Sequence, residues 1–123
     1  MSFHYLPLNK FIVQGIVVSD IKFFPWGIDQ ENCIFSLRFF DRWITHEDGQ
    51  REMQTCTLPV KVLRQRVVLF VKENVQEGCS LLIAESKIGY MDKVSSGGDK
   101  EIGLILEPYR GDIILLKQSR KDE

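Results

Sequence analysis

The stretch NCIFSLRFFDRW, residues 32–43, restricts the fold more than any other part of the chain. Successive side chains of an extended backbone point to opposite faces. Cys33, Phe35, Leu37 and Phe39 therefore share one side, and Ile34, Ser36, Arg38 and Phe40 the other. The pattern predicts a strand with an apolar row turned inward and an arginine–aromatic row turned outward. Trp43 stands where this strand runs out into a polar turn.

The same period recurs elsewhere. Residues 9–19 (NKFIVQGIVVS) read as a first strand, with Gly15 marking a bend or bulge. Residues 21–30 read as a connection, with a turn at Pro25-Trp26-Gly27. Residues 32–42 form the second strand. Asp48-Gly49 is a hairpin signal that leads to a third strand over residues 53–63. Its apolar face carries Cys56, Leu58, Val60 and Val62, and its other face carries Thr57, Pro59 and Lys61. Pro59 cannot donate to a ladder and is expected at an edge or bulge.

Residues 64–77 contain RVVLFV, which alone resembles a strand. Yet Val67, Val71 and Val75 recur every four residues and Gly78 follows as a stop, which predicts a short helix. Residues 79–87 are the fourth strand, 92–100 a flexible tip, and 101–106 the fifth strand. Residues 112–116 extend that fifth strand past a turn at 108–111. Five strands with one short helix between the third and fourth is the order of an OB-fold, an all-β Greek-key barrel. A single domain over residues 1–123 is expected, with a core of about 9–116 and a short disordered C-terminal end.

Composition fits that reading. The chain has 123 residues, 44% of them hydrophobic, enough to bury a core without staples. No apolar run approaches the roughly 18 residues of a membrane span, and the N-terminus lacks a signal-peptide pattern. Cys33, Cys56 and Cys79 are far apart with no CxxC, which predicts thiols in a reducing compartment and a cytoplasmic location. With His4 and His46 the only histidines, no zinc site is expected, nor any other metal or cofactor. A net charge of −1 argues against a domain held to duplex DNA by charge. It leaves room for single-strand binding, where stacking carries much of the affinity.

Five features together resemble the bacterial single-stranded DNA-binding proteins and their relative, primosomal replication protein B. These are Asn9-Lys10 followed by Gly15; Phe35-Ser36-Leu37; Trp43; Gly78 before the fourth strand; and the hairpin from Lys87 to Glu101. The resemblance implies an OB-fold, binding of single-stranded DNA with RNA as an alternative ligand, and a homodimer or homotetramer with residues 11–17 near the interface. It implies a base-stacking role for Trp43. A second stacking tryptophan of the family is missing, with Thr57 or Leu58 in its place, and Tyr90 matches a further aromatic by rough position. The family's Gly/Pro-rich acidic tail has no counterpart before KQSRKDE. A tailless relative is therefore expected, without tail-mediated partner recruitment.

The candidate nucleic-acid contacts are Trp43, Phe40, Trp26 and Tyr90 for stacking, and Arg38, Arg42, Lys61, Lys87 and Lys93 for phosphate. Each has a plainer alternative. Trp43 could cover the barrel mouth, Trp26 could join Phe23 and Phe24 in a small satellite core, and Arg38 and Lys61 could be a solvated sheet face. Arg38, Phe40, Arg42 and Lys61 are expected to share one face if the second and third strands pair. His46-Glu47-Asp48 lies in a polar turn, and no HExxH, GxSxG or Walker sequence is present, so no catalytic residue is assigned. The rival reading is a protein–protein adaptor in which Phe40 and Trp43 form the partner surface.

Overall fold

A computed structural model describes residues 10–92 and 98–118. Asn9, Lys93 and the C-terminal end at 119–123 lie outside the described residues. Seven strands and one helix follow in the order β1 (Phe11–Val17), β2 (Lys22–Pro25), β3 (Glu31–Thr45), β4 (Arg51–Val62), α1 (Gln65–Asn74), β5 (Ser80–Asp92), β6 (Lys100–Leu106) and β7 (Asp112–Lys117). Hydrogen-bonded neighbours run β1–β3–β4–β6–β5, and β5 returns to β1, so the sheet closes into a five-stranded barrel. This is an OB-fold, with α1 between β4 and β5 as the order of elements predicts. Among the described residues no helix is long and apolar enough to cross a membrane.

The barrel forms where alternation is strictest. Cys33, Phe35 and Leu37 of β3, Val60 and Val62 of β4, Leu81 and Ile83 of β5, and Leu104 and Leu106 of β6 are fully buried. Each such side chain contributes about 1.5–3 kcal/mol through removal from water. Burial pushes the Cys33 thiol up to about 12, so it stays protonated at neutral pH. Cys33, Cys56 and Cys79 are all free thiols, two of them buried and Cys56 half-buried.

One end of the barrel is closed by α1. Val67 and Val71, one helical turn apart, are buried there with Val68, and Val75 follows just past the helix. Their β-branched side chains disfavour a helix locally, and packing against the core overrides that preference. The helix start is fastened to β3: Gln65 accepts a hydrogen bond from the Glu31 backbone N–H at 3.0 Å and donates to the Glu31 carbonyl at 2.7 Å. Lys72 pairs with the Glu31 carboxylate at 2.7 Å.

One departure from the sequence reading concerns a strand. The first connection is not irregular: Lys22–Pro25 pairs antiparallel with β3, and the turn closes with Trp26 N–H donating to the Gln30 carbonyl at 2.8 Å. Four residues are too short for a period to declare itself, and two adjacent phenylalanines hide the alternation. Phe23 is half-buried against the core and Phe24 more exposed. The fifth strand is broken in two, with β6 and β7 lying one after the other along β5. Residues 112–117 thus extend β6 along the same neighbour, as the sequence reading anticipates. Pro59 lies one residue outside the β4–β6 ladder, which begins at Val60.

Beyond the barrel two hairpins run on as two-stranded arms. β1 leaves β3 after Ile16↔Arg38, while β3 and β4 stay paired out to Thr45↔Arg51. β5 and β6 likewise continue to Asp92↔Lys100. Because β4 and β6 run parallel, both arms project from the same end of the barrel, opposite α1.

The switch of β5 from β7 to β6 takes place at Glu85, whose φ is +57°, a left-handed conformation costly for a side chain with a Cβ. Ser86, next to it, is buried and donates its hydroxyl to the Phe11 carbonyl at 2.9 Å. Glu85→Gly is expected to raise the melting temperature by a few degrees, from roughly 1 kcal/mol of strain relieved. Glu85→Val is expected to lower it, because a β-branched residue tolerates positive φ least. Thermal melts followed by circular dichroism check both; equal melting points for the two variants would refute the assignment.

Candidate nucleic-acid interface

The first arm owes its chemistry to one extra residue. Phe40 pairs with Thr55 and Arg42 with Gln54, leaving Asp41 unmatched as a β-bulge. Alternation therefore restarts at Arg42. Trp43, opposite Met53, joins Phe40 on the outer face, and Arg42 turns to the other side. Direct contact supports this register: the Phe40 and Trp43 ring centroids are 6.0 Å apart at a 56° tilt. On β4, Arg51, Met53, Thr55 and Thr57 alternate onto the same face. The Arg51 guanidinium sits over the Trp43 ring, 4.7 Å from its centroid.

Both rings are accessible, Phe40 and Trp43 each 52% exposed. Two aromatic rings without a core to join are an energetic cost in water unless something covers them. At the arm's base, where it splays from β1, a concavity of about 450 Å³ is lined by Gln14, Ile16, Arg38, Phe40, Met53 and Thr55 among others. Arg38 opposes Thr57 and is exposed.

Several of the surface cations are paired with carboxylates. Arg42 has its own carboxylate, with Asp41 3.7 Å away. Lys87 pairs with Glu107 at 3.4 Å, and Arg66 with Asp112 at 3.4 Å. Lys100 pairs with Asp92 and holds its carboxyl below the usual range, with a smaller contribution from Lys61. Among the described residues, Arg38 and Arg51 have no carboxylate partner within salt-bridge distance. They stand at the two ends of the Phe40–Trp43 pair.

The predicted residues are thus divided. The structure brings Arg38, Phe40 and Trp43 together. It places Arg42 on the opposite face of the arm, which corrects the expected grouping; the cause is the bulge, which a two-residue period cannot reveal. Lys61 opposes Ile34 and lies four residues along β4 from Thr57, about 13 Å away, towards Asp92 of the second arm. Tyr90 opposes Ile102 on that second arm and is 74% exposed. Trp26 is exposed at the β2–β3 turn, whose Pro25 and Gly27 line a concavity together with Leu69 and Lys72 of α1. About 40 Å of extended β3 separates this turn from Trp43, so the two tryptophans belong to opposite ends of the barrel. Lys93 lies outside the described residues. Arg51 and Met53 were not among the predicted contacts; the hairpin register set by the His46–Gln50 turn is the signal that places them beside Trp43. Among the described residues no group of three or more His, Cys, Asp or Glu side chains is arranged to hold a metal ion.

The geometry defines an OB-fold whose outer sheet face carries two exposed rings between two cations. Among solved structures, the fold is that of single-stranded DNA-binding proteins. The chain superimposes on a Plasmodium falciparum protein of this kind, solved in complex with single-stranded DNA, with a TM-score of 0.73 at 16% identity, covering 94% of this chain and all of that one. A mitochondrial single-stranded DNA-binding protein of Saccharomyces cerevisiae, Rim1, gives 0.63 at 17% identity over 92% of this chain and all of that one. The protein from Thermus aquaticus gives 0.67 at 17% identity over 89% of this chain, which spans about half of that protein's length (51%). At such identities the likeness establishes the fold. No family model and no curated protein matches the chain by sequence.

The bulge carries an unusual expectation. Deleting a residue from a strand normally inverts every face beyond it. Deleting Asp41 instead leaves Arg42 opposite Gln54 and Trp43 opposite Met53. The deletion variant should therefore keep the Trp43 environment, read as an unchanged tryptophan emission maximum and near-ultraviolet circular dichroism. A shift to the spectrum of a fully exposed indole would contradict the register.

Proposed function

We propose that the protein binds single-stranded DNA without catalysis, through the outer face of the first arm. The observation that carries this reading is the exposed Phe40–Trp43 pair set between Arg38 and Arg51. Unpaired bases offer a flat π-face to each ring, and the chain linking them offers phosphates to the cations. A strand of two or three nucleotides laid along β3 and β4 meets all four side chains. Tyr90 on the second arm is placed to meet a longer strand leaving the barrel at the same end. Arg42 and Trp26 stay outside the proposed contacts, one on the far face and one at the far end. Nothing on this face reads individual base edges, so little sequence preference follows, and RNA is an acceptable ligand on the same terms. The solved complex of the Plasmodium protein with single-stranded DNA supports the reading. In a cell such a binder serves as a cytoplasmic accessory to replication, recombination or the transfer of mobile elements.

Titration with oligo-dT tests this. Stacking quenches Trp43 emission, and affinity falls as salt rises because each neutralised phosphate releases counterions. Loss of one stacked base costs about 1–3 kcal/mol, so Trp43→Ala weakens binding by roughly five- to 150-fold. A folded protein whose emission ignores oligo-dT, and whose Trp43→Ala variant behaves identically, supports the adaptor alternative instead.

Self-association completes the proposal. The outer sheet face next to the site is apolar: Ile12 and Ile16 of β1, Leu82 of β5, and Ile114 and Leu116 of β7 point outward, all but Leu82 well exposed. β1 also has an edge free of β3 before Ile16. A second copy of the chain covers both at once, giving a homodimer or homotetramer. Light scattering on the wild type and on an Ile16→Asp/Ile114→Asp variant checks this: the wild type should run as an oligomer and the variant as a folded, smaller species. A monomeric wild type at tens of micromolar would reject it.

A further inference from the structure

We infer that Arg51 is the cation that holds the phosphate of a nucleotide stacked on Trp43, an inference that rests on the binding reading above. Three observations converge on it. Its guanidinium lies over the indole, 4.7 Å from the ring centroid. Among the described residues no carboxylate pairs with it, as none pairs with Arg38, Lys22 or Lys61, so its donors are open to an anion. Finally, the Thr45↔Arg51 register places it on the Phe40–Trp43 face, two ladder steps beyond Trp43 towards the hairpin tip.

The chemistry of guanidinium explains why this position needs arginine. The group is planar, and its five N–H donors lie in its own plane. Resting a face on an aromatic ring leaves those in-plane donors pointing sideways, free to take two phosphate oxygens at once. Contact with the indole also restricts the side chain before any ligand arrives, so less rotamer entropy is lost on binding. Lysine, a compact ammonium on a flexible stem, keeps the charge and loses the plane. Arg38 at the barrel side and Arg51 at the tip side then bracket the two stacked bases. About 20 Å of strand lies between them, six ladder steps once the bulge is discounted.

The test uses the Trp26→Phe background, so that Trp43 is the sole tryptophan, and follows oligo-dT binding at four or more salt concentrations. In this background Arg51→Gln should bind about tenfold more weakly at low salt. Its plot of log affinity against log salt should be shallower by about 0.7, the contribution of one phosphate on a single strand. Arg51→Lys should retain the slope while losing part of the affinity. Arg66→Gln, at the α1 end, should match the parent. Arg51→Met, which keeps an apolar stem against the indole, should repeat the Arg51→Gln slope and guards against a folding defect; circular dichroism melts verify each variant. Folded Arg51→Gln and Arg51→Met with the parental slope overturn the inference while leaving the binding reading intact, provided Trp43→Ala still weakens binding. A parent that shows neither quench nor salt dependence overturns the binding reading, and this inference with it.

Discussion

The parallel ladder between β4 and β6 is the contact on which the molecule turns. It involves only Val60–Val62 against Leu104–Leu106, yet it closes the barrel. Its shortness is imposed by packing. Gly103, next along β6, has the Pro59 carbonyl oxygen where a Cβ would stand, 2.6 Å away, and the end of the Met91 side chain closer still. The two strands meet there with no space for a side chain between them. Past this point β4 and β6 part, each taking its antiparallel partner along. The arms, and the exposed rings on the first of them, exist because closure stops where it does.

Much of the barrel is legible in the sequence because its strands alternate strictly and its helix repeats every four residues. The apolar rows of Cys33, Phe35 and Leu37 and of Val67, Val71 and Val75 are buried as their spacing requires. What escapes is local. Lys22–Pro25 spans only two periods of its own pattern, so its pairing with β3 leaves no signature. The bulge at Asp41 changes the parity of everything after it, and no residue type announces it. Arg51, directly after the Asp48-Gly49-Gln50 turn, reads as loop until the register of the hairpin is known. Half of the site was therefore visible from residue types, and the other half depended on which strand position faced which.

Charge distribution shows how a chain with a net charge of −1 can still offer a cationic face. Its acidic residues are spent locally against particular lysines and arginines. Glu31 holds Lys72 beside the Phe23 ring, Glu107 holds Lys87, and Asp112 holds Arg66. Surface pairs of this kind contribute little stability, a median of about 0–1 kcal/mol. Their effect on the surface potential is larger, since each cancels a positive charge outside the first arm. Arg38 and Arg51 are among the cations left without such a partner.

The arm that bears Trp43 is bonded to the barrel along its base alone. Among the described residues, its outer ladder, from Phe39↔Cys56 to Thr45↔Arg51, has no third strand on either side. Backbone amides in that segment can exchange with solvent by fraying from the tip, while those of Leu81–Ile83 in β5, flanked by β1 and β7, are held on both sides. The aromatic pair thus rides on the part of the sheet with the fewest neighbouring strands. It can bend towards a ligand without disturbing the core that carries it.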